Sequence, residues 1–272
     1  YDYLSGPLRG RAAVFYAYRQ LLRVEQVVLP EPRGEQVVVK TAGCGLCHTA
    51  LHIWLGELPG VPRRTPAVLG HEPSGRVAAR GDAVPDRFKE GTPVLVQGGY
   101  YAEDDIYTLK GLNQMALKPA QSWDGSYGLH GGCYAEYFLV PSYRYLVPAE
   151  GLDDLEAAAV LTDAGLTPYR AVKNGLKMVA DFAEPGDFAL VVGVGGLGLF
   201  GAQWVNALAP HLNLIAVDVR PEALELAGKV AKIHTAADAK RGQPVEAVKK
   251  AQGSGKLMAR FGFVGNAHTV YA

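Results

Sequence analysis

Cysteine is scarce in this sequence: Cys44, Cys47 and Cys133 are the only three among 272 residues. Three is an odd number and too few for a disulfide scaffold. Only one Cys-x-x-Cys occurs, which excludes a structural zinc ribbon built on four cysteines. An excess of either charge is also missing, with Lys+Arg at 27 and Asp+Glu at 27. Nucleic-acid binders carry a basic excess, so no nucleic-acid partner is expected. The opening residues YDYLSGPLRG contain no apolar signal-peptide core, and a soluble protein of a reducing compartment, the cytoplasm, is expected. One run, residues 188–210, has no charged residue. Five glycines break it into strand, turn and helix, so no membrane partner is expected. There is no internal repeat and no low-complexity tract.

Glycine, by contrast, is abundant: 33 residues, well above the roughly 7% of an average chain. Without a repeat period this signals tight turns and close backbone approaches. At 49% hydrophobic and 20% charged the chain is globular. It is long enough for one large domain or two modest ones, at roughly 100–200 residues each. The first half reads as short strands (AAVFYA, LRVEQVV, QVVVKTAG, RVAAR, TPVLVQ, YAEYFLV) separated by Pro, Gly and charged clusters, the pattern of a barrel or sandwich. The second half alternates helix and strand. Residues 155–179 read as helix with a break near Gly165 and Pro168. FALVVG, LNLIAVD, KIHTAA and MARFGFVG then read as strands, with helices between them. Such alternation predicts βαβ units and a parallel sheet. The boundary is expected near Asp153, giving domains 1–153 and 154–272.

Gly193-Val194-Gly195-Gly196-Leu197-Gly198 follows a predicted strand and opens a predicted helix. Gly193 permits the tight turn, Gly195 lets a pyrophosphate approach the backbone, and Gly198 allows close helix–strand packing. Asp218 stands at the end of the next strand, where a carboxylate can accept from ribose hydroxyls and repel a 2′-phosphate. This favours NAD over NADP, and Arg220 weakens the preference slightly.

His48, His52 and His71 share one short window with Cys44 and Cys47. Catalytic zinc needs only three protein ligands. Taken singly, His71 reads as a turn histidine and Cys47 as a small buried hydrophobe. Taken together, Cys44-Gly-Leu-Cys-His-Thr-Ala-Leu-His52, then Leu69-Gly-His-Glu72, then the glycine fingerprint with its acid resemble the zinc-containing medium-chain alcohol dehydrogenases. Order and spacing match over nearly the whole chain.

The resemblance implies an α/β-plus-β architecture: a GroES-like β-barrel catalytic domain followed by a Rossmann doubly wound parallel sheet. It implies one catalytic zinc on Cys47, His71 and Asp163, with Asp163 standing where many members have Cys. Cys44 becomes a passive neighbour, and Glu72 is expected behind the metal. Thr49 and His52 match the hydroxyl and the outer imidazole of a proton relay. His48 matches the position that meets the cofactor pyrophosphate, with Gly196 completing the phosphate turn. Leu197 and Thr167 match positions beside the nicotinamide. Trp54 and Leu58 are either pocket walls or ordinary core. The implied reaction moves a hydride between a primary or secondary alcohol, or its aldehyde or ketone, and NAD. Zinc would act on the substrate oxygen as a Lewis acid. A homodimer or homotetramer is implied.

The sequence departs from the family pattern in three places. Ala102, Asp105, Thr108 and Ala116 occupy the cysteine positions of the family's structural-zinc lobe, so no structural zinc is expected. Packing should hold that lobe, with Tyr100, Tyr101, Tyr107 and Trp123 available. Ala50 replaces an Asp that orients the zinc histidine, a type of loss that costs ~10–100-fold in affinity or activity. Family members run on beyond the point where this chain stops. The last strands of the sheet are therefore expected to be missing, leaving residues 258–265 as an edge. Cys133 receives no role. Two other readings remain open: a cofactor-binding protein that has lost catalysis, and a dehydrogenase of a polyol or amino-alcohol.

Overall fold

The computed structural model describes residues 7–102, 104–117, 128–239 and 244–265, and the chain divides into two compact units, Tyr1–Asp163 and Ala164–Ala272. Among the described residues no helix is long and apolar enough to cross a membrane.

The first unit is built on β1 (Arg9–Phe15), β2 (Arg23–Val28), β3 (Val37–Cys44), β4 (Ala67–Val68), β5 (Pro73–Arg80), β6 (Pro93–Val96), β7 (Tyr137–Val140) and β8 (Leu146–Pro148). Two helices, α1 (His48–Leu55) and α2 (Ile106–Leu109), interrupt them. The strands form a three-stranded sheet, β2-β1-β4, and a five-stranded sheet, β7-β3-β5-β6-β8, all antiparallel. An Ala12–Ala135 bridge links them. The run Val37-Val38-Val39 is wholly buried because β3 has core on both faces. Successive side chains on a strand point to opposite sides. Val37 and Val39 therefore join Val77, Val94, Val96 and Phe138, while Val38 joins Val14, Val27 and Val68. Strands β4 and β8 escape sequence reading because two or three residues are too few to show a period.

The second unit alternates α3 (Leu166–Val179), β9 (Phe188–Val192), α4 (Gly196–Leu208), β10 (Asn213–Asp218), α5 (Pro221–Val230), β11 (Thr235–Asp238), α6 (Pro244–Gln252) and β12 (Leu257–Gly262). All strand pairs are parallel, in the order β11-β10-β9-β12. Relative to the chain that is 3-2-1-4, the first four positions of the Rossmann order. Strand β9 is buried on both faces: Ala189 and Val191 face one helical layer, Phe188 and Leu190 the other. Asp187, just before β9, accepts from the Glu184 and Lys256 amides at 3.0 and 2.8 Å, which pins the start of β9 to that of β12. The expected helix over 155–179 divides into a 3₁₀ segment, Ala157–Thr162, and α3. Pro168 is not the break. It sits in the first turn of α3, where its missing N–H costs nothing.

One expectation is corrected and another is extended. Cys44 is not a passive neighbour but is disulfide-bonded to Cys133, 89 residues away. Only the antiparallel pairing of the unit brings the two together. The lobe over 100–117 does contain aromatic packing, with Tyr100 and Tyr145 rings 4.7 Å apart. Its hub, however, is Asp105, one of the positions set aside as a lost ligand. The buried Asp105 carboxylate caps α2 by accepting from the Tyr107 and Thr108 amides at 2.9 and 3.4 Å, and it ties down the far end of the lobe through the Leu117 amide at 2.7 Å. Trp123 lies outside the described residues. Asp105→Ala should cost about 1 kcal/mol, as cap losses do. Hydrogen exchange should show protection lost at the Tyr107 and Leu117 amides and retained in β3 and β5.

Candidate metal centre and cofactor turn

The end of β3 assembles the metal cluster. Its pairing with β5 sets Cys44 opposite Pro73, and beyond that pair the Gly45 amide donates to the Glu72 carbonyl at 3.0 Å. The chain then turns, and Cys47 becomes the residue preceding α1, in extended backbone. His71 lies on the other side of the rung, one residue before Glu72. A third segment approaches through Gly43, where a Cβ would stand 2.5 Å from the Glu156 carbonyl oxygen. Only glycine admits that contact. From Glu156 the 3₁₀ segment Ala157–Thr162 leads to Asp163 at its end.

The three donor atoms converge. Cys47 Sγ is 3.6 Å from Asp163 Oδ2, His71 Nε2 is 3.3 Å from the same oxygen, and all three lie within 4.8 Å of one another. Tetrahedral zinc with bonds of 2.0–2.3 Å sets its ligands roughly 3.3–3.8 Å apart, so the donor set fits. A thiolate and a carboxylate also cancel the charge of a dication, and imidazole is neutral when it ligates. His71 and Glu72 are buried, and Asp163 is half-buried. Burial works against a charged His71, but Asp163 and Cys47 outweigh it and push the imidazole up to about 9.

The remaining expected residues of this unit surround the cluster. The Cys47 thiol donates to Thr49 Oγ1 at 3.4 Å. His52, one turn along α1, stands with its ring centroid 4.6 Å from that of His48. His52 Nδ1 is hydrogen-bonded to the Glu57 carboxylate. A helix-end motif holds Glu57 there: Gly56 is left-handed at φ 76°, and the Glu57 amide donates to the carbonyl of His52 at 2.9 Å. The Glu72 carboxylate lies against Gly45, where a Cβ would meet Oε2 at 1.8 Å. Trp54 donates to the Gln20 carbonyl at 2.7 Å, and with Leu58 it packs on Phe15, Ile53 and Leu69. Sequence reading missed two residues, Glu57 and Tyr134. Nothing in the sequence marks Glu57. Tyr134 follows Cys133, its hydroxyl is buried, and burial with the charges of Cys47 and Glu72 pushes it up to about 12.

The second unit carries the glycine turn. Gly193 is left-handed at φ 83°, and a Cβ on Gly198 would fall 1.8 Å from the Gly193 carbonyl oxygen, so helix α4 can start this close to β9 only with glycine at 198. The buried Asp218 carboxylate accepts from the Val194 amide at 2.8 Å and from the Arg220 amide at 2.9 Å, with Arg220 Nε at 3.3 Å. Burial raises this carboxyl, but those donors outweigh it and hold it below the usual range. The acid is therefore already locked onto the turn it is expected to serve. A Cβ on Gly195 would lie 3.4 Å from Arg220 Nη2, placing the guanidinium over the turn. Leu197 and Thr167 lie in the first turns of α4 and α3, Leu197 half-buried and Thr167 exposed.

A unit of antiparallel sheets with a convergent Cys–His–Asp set precedes, along the chain, a parallel sheet in the first four positions of the Rossmann order. The model of the alcohol dehydrogenase GroES-like domain matches residues 33–151. An alcohol dehydrogenase of Moraxella sp. (strain TAE123) is 36% identical over 241 residues, covering 88% of this chain and 67% of the relative. The D-arabinose 1-dehydrogenase (NADP(+)) of Saccharolobus solfataricus is 31% identical over 213 residues, covering 77% of this chain and 58% of that one. Among solved structures, the alcohol dehydrogenase of Aeropyrum pernix superimposes with a TM-score of 0.82 at 30% identity, over 96% of this chain and 74% of that chain. The chain belongs to the zinc-type medium-chain alcohol dehydrogenase family. It spans 58% and 67% of the length of the two curated relatives named.

The geometry sets two expected outcomes. Elemental analysis of the unchelated chain should find about one zinc per chain; His71→Ala and Asp163→Ala should each reduce this well below half. The Asp218 carboxyl is depressed in the folded state, so its contribution to stability is present above the unfolded carboxylate pKa of ~3.9. It is lost only as pH falls further, through the lower folded value. Acid unfolding followed by circular dichroism should therefore show Asp218→Asn converging on the parent chain below about pH 4 and less stable than it above.

Proposed function

We propose that the chain transfers a hydride between a primary or secondary alcohol, or the corresponding aldehyde or ketone, and NAD, using one catalytic zinc and no structural zinc. The convergence of Cys47 Sγ, His71 Nε2 and Asp163 Oδ2 carries this reading. Zinc held there supplies Lewis acidity toward the substrate oxygen and lowers the cost of removing its proton. Cys47, His71 and Asp163 hold the metal, and Glu72 adds a buried negative charge beside them. Thr49 Oγ1, next to Cys47, takes the hydroxyl proton. His52 stands three residues further along α1, on the same face, and takes up at Nε2 the proton that Thr49 Oγ1 gives up as it accepts the substrate's. Glu57 accepts a hydrogen bond from His52 Nδ1–H, which fixes the tautomer so that Nε2 keeps its lone pair. Glu57 is thus a positioning residue for the relay.

On the cofactor side, Gly193, Gly195, Gly196 and Gly198 leave room for the pyrophosphate at the start of α4, and Asp218 accepts from the adenosine ribose. A 2′-phosphate would face that carboxylate, so NAD is favoured. Arg220 over the turn supports NADP as the second reading, and the relative of printed name D-arabinose 1-dehydrogenase (NADP(+)) belongs with it. A homodimer or homotetramer in the cytoplasm completes the proposal, to be read by light scattering and fractionation.

A panel of alcohols with the zinc-loaded chain should give alcohol-dependent NADH absorbance. NADH binding without turnover across the panel would instead favour the cofactor-binding reading that Ala50 motivates. Glu57→Gln should lower kcat about tenfold at neutral pH with little change in KM, and Glu57→Asp should recover part of it. Asp218→Ser should raise the NADP-to-NAD ratio of kcat/KM at least about tenfold.

A further inference from the structure

The Cys44–Cys133 disulfide sits beside both metal-bearing segments of the barrel unit. Cys44 closes β3 three residues before Cys47 and pairs with Pro73, two residues after His71. The Cys133 amide donates to the carbonyl of Gly70, the residue before His71, at 3.2 Å, and the Tyr134 amide donates to Leu69 at 2.9 Å. The sulfur also limits what position 70 can hold: an added Cβ on Gly70 would stand 3.0 Å from Cys133 Sγ. Cys133 is buried in a cluster with Val96 and Tyr100, against which Cys44 packs. Cys47 is left as the free cysteine, its Sγ turned to Thr49 and Asp163.

We propose that Cys44 and Cys133 are positioning residues for the metal centre: their disulfide sets the spacing of the Cys47 and His71 segments, and reducing it loosens the hold on the metal. This rests on the reading of Cys47, His71 and Asp163 as a metal site. The step is a two-electron reduction. A dithiol attacks one sulfur, a mixed disulfide forms, and the second thiol of the reductant resolves it. The S–S bond breaks, Cys44 and Cys133 each end as S–H, and the dithiol ends as its own disulfide. Bonded sulfurs lie about 2 Å apart, whereas unbonded ones need roughly 3.5–4 Å. The interior around Cys133 is close-packed, so that extra distance is taken up by the backbones that carry the sulfurs. These are the backbones that carry Cys47 and His71. Donors 3.3 and 3.6 Å from a shared partner do not tolerate an ångström-scale shift without weakening a tetrahedral site.

The test uses the full chain loaded with Zn²⁺, with and without a phosphine reductant. The phosphine takes oxygen from water to become its oxide, and the two water protons end on the thiols. Alkylation of the denatured chain should tag only Cys47 before reduction and all three cysteines after it. A chromophoric chelator should draw zinc from the reduced chain about tenfold faster than from the oxidised one. Far-UV circular dichroism should be the same before and after reduction, which separates loosened metal binding from unfolding. The double variant Cys44→Ser/Cys133→Ser should release zinc at the fast rate with or without phosphine. If the variant does not fold, the two redox states of the parent chain decide alone. Three tagged cysteines without reduction would overturn the proposal. So would equal release from the oxidised and reduced chain, or a double variant that releases slowly or still responds to phosphine. A chain that holds no zinc at all removes the metal reading together with this one, whereas equal release from a chain holding one zinc removes this one alone.

Discussion

The antiparallel pairing of β3 with β5 is the interaction on which the candidate metal centre depends. Register alone puts Cys44 opposite Pro73 and Gly45 against Glu72, so the residues just beyond, Cys47 and His71, are neighbours before any side chain is considered. The third donor arrives through the same strand end, because Gly43 has no side chain to hold off the Glu156 backbone. A one-residue slip would turn each strand's side chains to the opposite face. The wholly buried Val37, Val38 and Val39 make that slip costly, since burying each valine is worth roughly 1.5–3 kcal/mol. The hydrophobic core of the barrel unit therefore sets the spacing of its donors.

Three carboxylates show how one residue type takes different work from its surroundings. Asp105 is buried among three backbone amides, all donors, and serves as a staple in its lobe. Asp218 accepts from the Val194 and Arg220 amides, which keeps it ionised beside the glycine turn. Asp163 faces a thiol and an imidazole, two further potential metal donors. The difference lies in the partners. Backbone amides fix an anion where it is, whereas a cluster of lone pairs attracts a cation.

Much of the fold was legible in the sequence. The β-branched runs of the first half and the helix–strand alternation of the second carry their periods locally, and the glycine turn is a contiguous motif. The candidate site was legible only through the order of Cys47, His71 and the glycine fingerprint, since no local signal links residues 47, 71 and 163. The missed features share one cause. Asp105 as a hub, Glu57 on His52 and the bond between Cys44 and Cys133 all depend on where a turn or a strand pair delivers a side chain. Strands β4 and β8 depend on pairing with a neighbour rather than on their own two or three residues.

The sequence by itself determined the two architectures, the glycine turn with its acid, and the identity of the metal-donor candidates. The architectures and the glycine turn follow from hydrophobic period and contiguous motif chemistry, which are properties of short stretches of chain, whereas the donor candidates follow from the family resemblance carried by the order of the motifs. Only the tertiary structure decided that a thiolate, an imidazole and a carboxylate meet within 4.8 Å, that an aspartate holds the lobe, and that two cysteines 89 residues apart are joined. Such meetings are set by the register of non-local strand pairs and by the close approach that single glycines permit, and neither is encoded at the positions that meet.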